Sequence, residues 1–259
     1  MTAVWTSLWA TGVAVVVIMC FSFLVGRTTG KYSIIDAVWG PGFAVIAWVS
    51  LLATSGHGDA GLRGLLVAMV TIWGVRLGAH ILTRNHGLPE DPRYVDMLTG
   101  HGPGRIVVKV QLPQGVTMWF VSIPVQLAMV LDRPVWWCVV LGALIWLVGI
   151  TFEAVGDAQL AAFKRDPARS GTVLRSGLWR YTRHPNYFGD ATVWWGIFLT
   201  VAWHWVGWLA VLSPLLMTYL LVAKTGKALT EKRMSNSKPG YADYVRRTSG
   251  FVPLPPRAS

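Results

Sequence analysis

Long apolar runs are the feature that most limits what this chain can fold into. A bilayer crossing needs about 20 mostly apolar residues, and seven stretches of the sequence come close to that length. They cover residues 4–26, 33–54, 62–83, 115–132, 134–156, 187–203 and 205–223. Hydrophobic residues make up 53% of the 259 residues and charged residues only 14%, a balance typical of membrane proteins. The sequence therefore predicts an all-α, polytopic membrane protein with about seven transmembrane helices in a lipid bilayer.

Tryptophan and cysteine positions agree with this interpretation. Several of the 15 tryptophans lie near the ends of the apolar runs, where an interfacial aromatic belt is expected. These are Trp5, Trp136, Trp137, Trp203, Trp205 and Trp208. Cys20 and Cys138 lie within separate apolar runs, so we predict two small buried side chains rather than a disulfide framework. The first run lacks the basic start of a signal peptide and is interpreted as a retained crossing.

Basic residues are concentrated on one side of the predicted helices. Of the 23 Lys and Arg residues, 20 fall in the segments 27–32, 84–114, 157–186 and 224–259. Loops rich in Lys and Arg face the cytoplasm, so we expect an external N-terminus and a cytoplasmic C-terminus. This topology, with some contribution from contacts to anionic lipid, accounts for the net charge of +11, and no nucleic-acid partner is predicted.

Acidic side chains inside or at the edge of apolar runs are costly and often functional. Four residues of this kind are present: Asp36, Glu153, Asp157 and Asp190. Glu153 and Asp157 are four residues apart and share a helix face, and Lys164 continues that face two turns later. This pattern fits a structural ion-pair network as well as a ligand site, and both interpretations stay open at this point.

Two basic segments are able to complete such a site. The loop 157–186 carries six Lys and Arg residues and ends in YTRHPN, while the tail 231–253 could equally form an amphipathic helix on the membrane surface. Cations that face carboxylates suit a ligand with phosphates and hydroxyls, because Arg forks bind phosphate. Metal-binding motifs such as HExxH and CxxC are missing, so no metal site is predicted. The Gly- and Pro-rich stretch 83–105 is predicted to be irregular.

Longer motifs resemble one family closely. The stretch GLWRYTRHPNYFGD at 177–190, EKR at 231–233 and YADYVRRTSGFVP at 241–253 are similar to the C-terminal domain of the steroid 5-alpha-reductase superfamily. Within that superfamily, the chain resembles a bacterial branch of reductase-like membrane proteins. Further motifs of that branch are DxxWG, EDxRY and ExxxDxQ, which begin here at Asp36, Glu90 and Glu153. The resemblance covers nearly the whole chain.

The resemblance implies seven transmembrane helices and an NADPH site that is formed by the C-terminal half and open to the cytoplasm. It implies substrate-side helices at 1–132 and a cofactor-binding region at 133–259. Asp157 and Asn186 would contact the cofactor, and Lys164 lies where steroid reductases use an Arg. Together, the charge pattern and the resemblance predict these cofactor-binding residues: Glu153, Asp157, Lys164, Arg180, Arg183, His184, Asn186, Tyr187, Asp190, Glu231, Arg233, Tyr241 and Tyr244.

The predicted catalytic residues of the third crossing differ from the family pattern. Steroid reductases place a Tyr three residues before an Arg in the third crossing, whereas this chain has Trp73 before Arg76. Because the indole of Trp can only donate a hydrogen bond, the steroid substrate does not carry over. We predict Asp36 and Tyr94 as alternative proton donors, and Arg76 as a further catalytic residue.

The implied function is the NADPH-dependent reduction of a carbon–carbon double bond in a lipophilic substrate, such as a sterol, an acyl chain or an isoprenoid. The RHPxYxG pattern also marks isoprenylcysteine carboxyl methyltransferases and phospholipid methyltransferases, which use S-adenosylmethionine. That alternative stays open, as does a non-enzymatic membrane protein. The resemblance also implies the inner membrane of a bacterium as the location.

Overall fold

The computed structural model describes residues 2–100, 102–224, 231 and 239–257, which are predominantly helical. Short 3₁₀ turns occupy Pro167–Arg169 and Gly177–Arg180. The predicted all-α fold is confirmed. Within the described ranges the helices are α1 (Thr2–Thr29), α2 (Ile34–Ala53), α3 (Ala60–Asn85), α4 (Pro92–Leu98), α5 (Gly104–Ala128), α6 (Trp136–Arg165), α7 (Pro185–Leu199), α8 (Trp205–Lys224) and α9 (Tyr241–Arg247).

Six of these helices, α1, α2, α3, α5, α6 and α8, are long and apolar enough to cross a membrane. The run predicted to cross at 187–203 forms α7, which has 15 residues. At about 1.5 Å per residue its length is about 22 Å, less than the about 30 Å of a bilayer core. The described part of the chain is therefore polytopic with six candidate crossings, and a seventh crossing stays a prediction.

The chain divides into two compact units, of which the first comprises Met1–Val139 and Val201–Ala210. In this unit the backbones of α2 and α3 touch where Gly40 faces Gly74. A Cβ atom on Gly40 would lie 2.3 Å from the carbonyl oxygen of Gly74. Glycine permits this approach, as small residues do in many membrane helix pairs. The two helix backbones are therefore in direct contact at this point.

Polar side chains join α1 to neighbouring helices in the apolar part of the first unit. The hydroxyls of Ser7 and Ser50 are 2.6 Å apart, and Thr11 donates to Gln126 Oε1 at 2.8 Å. Each bond satisfies a polar group that lipid would leave without a partner. The other face of α1 is exposed and includes Cys20, so the prediction of a buried cysteine is wrong there. The reason is that α1 packs against the protein along only one face.

The stretch 83–105 is less irregular than its Gly and Pro content predicts. Helix α3 extends to Asn85, and α4 begins after Asp91, whose side chain accepts from Arg93 N at 2.8 Å. An Asp at the N-cap followed by Pro92 at the first helical position is a strong helix start. This local signal outweighs the composition of the stretch.

The second unit comprises Val140–Thr200 and Val211–Ser259. Helices α6 and α7 approach closely through glycines seven residues apart, a spacing that returns to nearly the same helix face. A Cβ atom on Gly189 would lie 2.4 Å from the backbone nitrogen of Glu153. The glycines of this seam are Gly142, Gly149 and Gly156 in α6 and Gly189 and Gly196 in α7.

The end of the chain is held to the second unit by backbone hydrogen bonds. Thr182 forms an isolated parallel bridge with Ser249, and Leu254 N donates to the carbonyl oxygen of Tyr181 at 3.0 Å. Helix α9 precedes this extended tail. The two contacts keep α9 next to the segment that leads into α7.

Candidate functional site

The seam between α6 and α7 carries the acidic and amide residues that the sequence singled out. Helix α7 begins with Pro185, which is favoured at the first helical position, and Asn186 follows it. Asn186 Nδ2 donates to Asp157 Oδ1 at 3.1 Å. Glu153 lies one turn before Asp157, and Asp190 lies one turn after Asn186. Glu153 is 2% exposed, Asp157 6% and Asp190 9%. Because buried carboxylates are costly without polar partners, this region must provide polar surroundings for all three.

The carboxamide of Asn186 is satisfied by the protein on one side only. A carboxylate can only accept, so the amide nitrogen must face Asp157. The amide oxygen, Oδ1, is buried and has no hydrogen-bond partner among the residues that the structure describes. A buried acceptor without a partner costs about 1–3 kcal/mol. The position is therefore suited to an N–H or O–H donor from a bound molecule.

A second cluster surrounds Glu231. Its Oε1 accepts from Arg183 Nε at 2.8 Å and lies 3.1 Å from His184 Nε2. Burial alone would raise the pKa of Glu231, but the hydrogen bonds from His184 and Arg183 outweigh burial and lower that pKa to about 2. Glu231 is therefore an anion at neutral pH. It holds the side chains of Arg183 and His184, the first two residues of the RHP motif at 183–185.

Arg183 also connects the RHP motif to α9. Its Nη1 donates to the carbonyl oxygens of Val245 at 2.9 Å and Thr248 at 2.7 Å. The hydroxyl of Tyr244 donates to the carbonyl oxygen of Trp179 at 2.5 Å and reinforces the same connection. The structure thus gives Arg183 several partners within the protein, and its role in cofactor binding stays a prediction.

The predicted tyrosines have different surroundings. The ring of Tyr187 stacks on that of His184, with centroids 5.3 Å apart and planes 3° from parallel. Tyr241 and Tyr244 are buried on one face of α9, with ring centroids 6.0 Å apart. Burial and the negative charge of Glu231 raise the pKa of Tyr241 to about 12, so its hydroxyl is protonated at neutral pH.

A cavity of about 500 Å³ in the second unit is lined mainly by cations and hydroxyls, and it is named the basic cavity. Arg175 donates to Asp243 at 3.1 Å and to the carbonyl oxygen of Gly240 at 2.6 Å. Arg180 is exposed and makes no hydrogen bond or ion pair within the described residues. This composition suits phosphate oxygens. The polar lining consists of Arg175, Ser176, Arg180, Tyr244, Arg247 and Thr248.

Two predicted cofactor residues remain, Lys164 and Arg233. Lys164 is in the exposed last turn of α6, two turns beyond Asp157. Arg233 lies outside the described residues. The structure therefore joins Asp157 to Asn186, and joins Glu231 to the RHP motif, while the role of Lys164 stays a prediction.

In the first unit, the two candidate proton donors are hydrogen-bonded to each other. The hydroxyl of Tyr94 donates to Asp36 Oδ1 at 2.8 Å. Arg93 Nη2 donates to Asp36 Oδ2 at 2.8 Å and to Asp91 Oδ2 at 3.0 Å. Burial and the negative charge of Asp36 raise the pKa of Tyr94 above its usual value. Tyr94 is therefore protonated at neutral pH and acts as a hydrogen-bond donor.

Sequence reasoning missed the roles of Glu90 and Arg93 in this cluster. Glu90 accepts from the backbone N–H groups of Tyr32 and Ser33, directly before α2. The EDxRY motif thus supplies one residue that caps α2 and two that hold Asp36. The dense charges of the motif beside a helix start were the available signal, but their contact with α2 depends on the tertiary fold.

Trp73 and Arg76 lie one turn apart on α3. Trp73 is completely buried, and its ring packs edge-on against Phe43 with centroids 5.6 Å apart. In this chain it is a packing residue, which agrees with the departure from the steroid reductase pattern. Arg76 is half-buried, and its guanidinium carries only hydrogen-bond donors, so it can donate hydrogen bonds but cannot accept them.

The sequence is similar to a protein family and to individual curated proteins over different lengths. Residues 22–248 match a family described as "Protein of unknown function (DUF1295)". The chain is 33% identical over 72 residues to "Steroid 5-alpha-reductase DET2" of Gossypium hirsutum, and 29% identical over 72 residues to the protein of that name from Arabidopsis thaliana. Each match covers 28% of this chain, and 28% and 27% of the respective relative. No solved structure matches the chain.

The family match extends over most of the chain, whereas the curated relatives are matched over little more than a quarter of their length. The predicted resemblance to the steroid 5-alpha-reductase superfamily is confirmed. The predicted relation to the isoprenylcysteine methyltransferases stays a prediction. The chain belongs to the DUF1295 family, a steroid 5-alpha-reductase-like family.

Proposed function

We propose that this chain is a membrane-embedded reductase that uses NADPH to reduce a carbon–carbon double bond in a lipophilic substrate. The observation that carries the proposal is the buried Asn186 Oδ1, which the described protein leaves without a donor beside Asp157. An amide N–H or a ribose hydroxyl of the cofactor would complete it. The distant similarity to two plant proteins named as steroid 5-alpha-reductases supports the reaction class.

The residues present fit the chemistry of NADPH. Its carboxamide and hydroxyl groups offer donors for Asn186 Oδ1 and for the carboxylates of Glu153 and Asp157. Its phosphates need cations, which Arg180 in the basic cavity and Lys164 on α6 would provide. The set combines acceptors for the ribose and amide ends with donors for the phosphates, as a dinucleotide requires.

The RHP motif has a positioning role in this proposal. The ion pair of Arg183 with Glu231, together with the contact from His184, fixes the backbone directly before α7. Asn186 follows two residues after His184, so the orientation of its carboxamide depends on that support. Tyr187 stacks on His184 and further restricts the position of the His184 ring.

Bound NADPH would supply a hydride, and the protein would orient the substrate, exclude water and provide a proton. We assign the proton to the hydrogen-bonded pair of Asp36 and Tyr94. Arg76 would stabilise negative charge on a carbonyl oxygen conjugated to the double bond, and such a donor is commonly worth a few kcal/mol. A lipophilic substrate would enter from the bilayer between the apolar helices of the first unit, and NADPH would enter from the cytoplasm, on the side of the basic loops.

Cofactor titrations of the full-length protein in detergent test the proposal. NADPH binding is followed by nicotinamide fluorescence. Asn186→Ala and Asp157→Asn should each weaken binding by about 1–3 kcal/mol, the usual cost of an unpaired buried partner. The matched control is Asp166→Asn, which removes the same charge from an exposed ion pair after α6 and should bind NADPH like wild type.

A parallel calorimetric titration with S-adenosylmethionine separates the enzyme classes. Binding of S-adenosylmethionine without binding of NADPH would contradict the reductase and favour methyl transfer. Binding of neither molecule to well-folded protein would favour a non-enzymatic membrane protein. Wild-type NADPH affinity in both variants would show that the cofactor binds elsewhere.

A further inference from the structure

A second cavity lies within the first unit, and none of its lining residues belongs to the predicted cofactor set. It has a volume of about 480 Å³ and is formed by the start of α2, the last turns of α3 and the segment 86–92. It is named the α2–α3 cavity. Its lining combines apolar side chains with polar ones, and the polar residues are Lys31, Ser33, Asn85, His86, Glu90 and Asp91.

The carboxylates of this lining are already satisfied by the protein. Glu90 accepts from backbone N–H groups that include those of Tyr32 and Ser33. Asp91 accepts from the backbone nitrogen of Arg93 at 2.8 Å and from its guanidinium at 3.0 Å. The two acids therefore offer little free acceptor capacity for a cationic ligand, and Glu90 already caps the start of α2.

The polar groups that stay available are mainly donors. Lys31 Nζ donates to the carbonyl oxygen of Leu88 at 2.7 Å, and an ammonium has two further N–H groups. Within the described ranges, no hydrogen bond uses the Ser33 hydroxyl, the Asn85 Nδ2 or the His86 ring. An ammonium, a hydroxyl, an amide and an imidazole together favour a ligand group with several acceptor oxygens, such as phosphate or carboxylate.

The apolar part of the lining belongs to two helices that are long enough to cross the membrane. Ile34 and Ala37 lie in the first turn of α2, and Ile81 and Leu82 lie in the last turns of α3. Leu82 is 51% exposed, so apolar surface that a bilayer would cover adjoins the cavity. A ligand in this cavity would have its polar group at the helix ends and an apolar chain along the helices.

We propose that the α2–α3 cavity binds the head of an anionic amphiphile, a molecule with a phosphate or carboxylate group attached to an apolar chain. Lys31 provides the opposite charge, and Ser33, Asn85 and His86 provide additional donors. The proposal goes beyond the proposed reaction, because this recognition does not require hydride transfer.

Calorimetric titration of the full-length protein in neutral maltoside micelles with dodecyl phosphate tests this site. Lys31→Ala should weaken binding roughly tenfold, because it removes a charge-assisted hydrogen bond. The matched control is Arg27→Ala, which removes an exposed cation from the end of α1 that does not line the cavity, and it should bind like wild type. His86→Leu, a substitution at an exposed position, removes the ring nitrogens and should weaken binding roughly threefold, because one hydrogen bond to the phosphate is lost.

Three further probes and NADPH define the expected specificity. Dodecanol, dodecyltrimethylammonium and inorganic phosphate should all bind more weakly than dodecyl phosphate. Equal affinity for inorganic phosphate would overturn the proposal that the ligand is an amphiphile and would indicate a soluble phosphate compound. Equal affinity for the cationic probe would show that the cavity does not select an anion and would overturn the proposal. Unchanged binding of dodecyl phosphate in both Lys31→Ala and His86→Leu would show that the ligand does not bind in this cavity. NADPH titrations should be unchanged in both variants, and a loss of NADPH binding would overturn the independence of this site from the cofactor site.

Discussion

Replacing Glu231 with Gln should destabilise the second unit through the cation that it holds. Arg183 is 9% exposed and donates to Glu231 at 2.8 Å, so the substitution removes the counter-charge of a buried guanidinium. The pKa of Glu231 is lowered from 4.5 to about 2, and one pKa unit is worth about 1.4 kcal/mol. The carboxylate thus contributes about 3 kcal/mol at neutral pH. Since its side chain is 22% exposed and Gln still accepts one hydrogen bond, the free energy of unfolding should fall by about 2–3 kcal/mol.

The same contact predicts a pH dependence of stability. The pKa of Glu231 is lower in the folded than in the unfolded protein, so its contribution is fully present above about pH 4.5 and is lost as the pH falls through about 2. Linkage gives about 1.4 kcal/mol at pH 3, less than half of the value at neutral pH. The difference between wild type and E231Q should therefore shrink with acidification, while the other carboxylates titrate in both proteins alike.

Chemical unfolding in neutral detergent, followed by tryptophan fluorescence from neutral pH to pH 3, measures this difference. Asp166→Asn is the control, because Asp166 and its partner Arg169 are 40% and 54% exposed. That substitution should change the free energy of unfolding by less than about 0.5 kcal/mol. A similarly small effect of E231Q at neutral pH, or an effect that stays constant down to pH 3, would refute the reasoning.

Three further substitutions test other contacts. Gly189→Ala places a Cβ atom 2.4 Å from the backbone nitrogen of Glu153, so it should push α6 from α7, cost about 1–3 kcal/mol in thermal stability and weaken NADPH binding in the same preparation. Tyr94→Phe removes the hydroxyl that donates to Asp36 and should cost about 1 kcal/mol in thermal unfolding without loss of fold. Glu90→Ala frees the N–H groups before α2 and should accelerate limited proteolysis of the neighbouring loop while other cleavage sites keep their rates. Wild-type behaviour in any of these assays would contradict the contact concerned.

Hydropathy located most membrane-crossing helices but not all of their ends. The run predicted at 62–83 corresponds to α3 at Ala60–Asn85, whereas the run predicted from 115 belongs to a helix that starts at Gly104. That earlier part contains Gln111, which is buried and accepts from Ser22 at 3.1 Å. A polar residue lowers the local hydropathy, so a composition-based prediction begins the helix too late even when another helix provides the partner.

By itself, the sequence determined that the chain enters a membrane as helices and that Glu153 and Asp157 lie on one face, because hydropathy and helix periodicity are local properties. Only the tertiary structure decided which partner each polar side chain has. Asn186 reaches Asp157 across 29 residues of sequence, and Arg183 reaches Glu231 across 48. Such contacts depend on helix packing through the glycine seam and on the position of α9. A hydrogen bond acts only over about 3 Å, so no local pattern could have shown that Arg183 is held by the protein while Arg180 makes no hydrogen bond within the described residues.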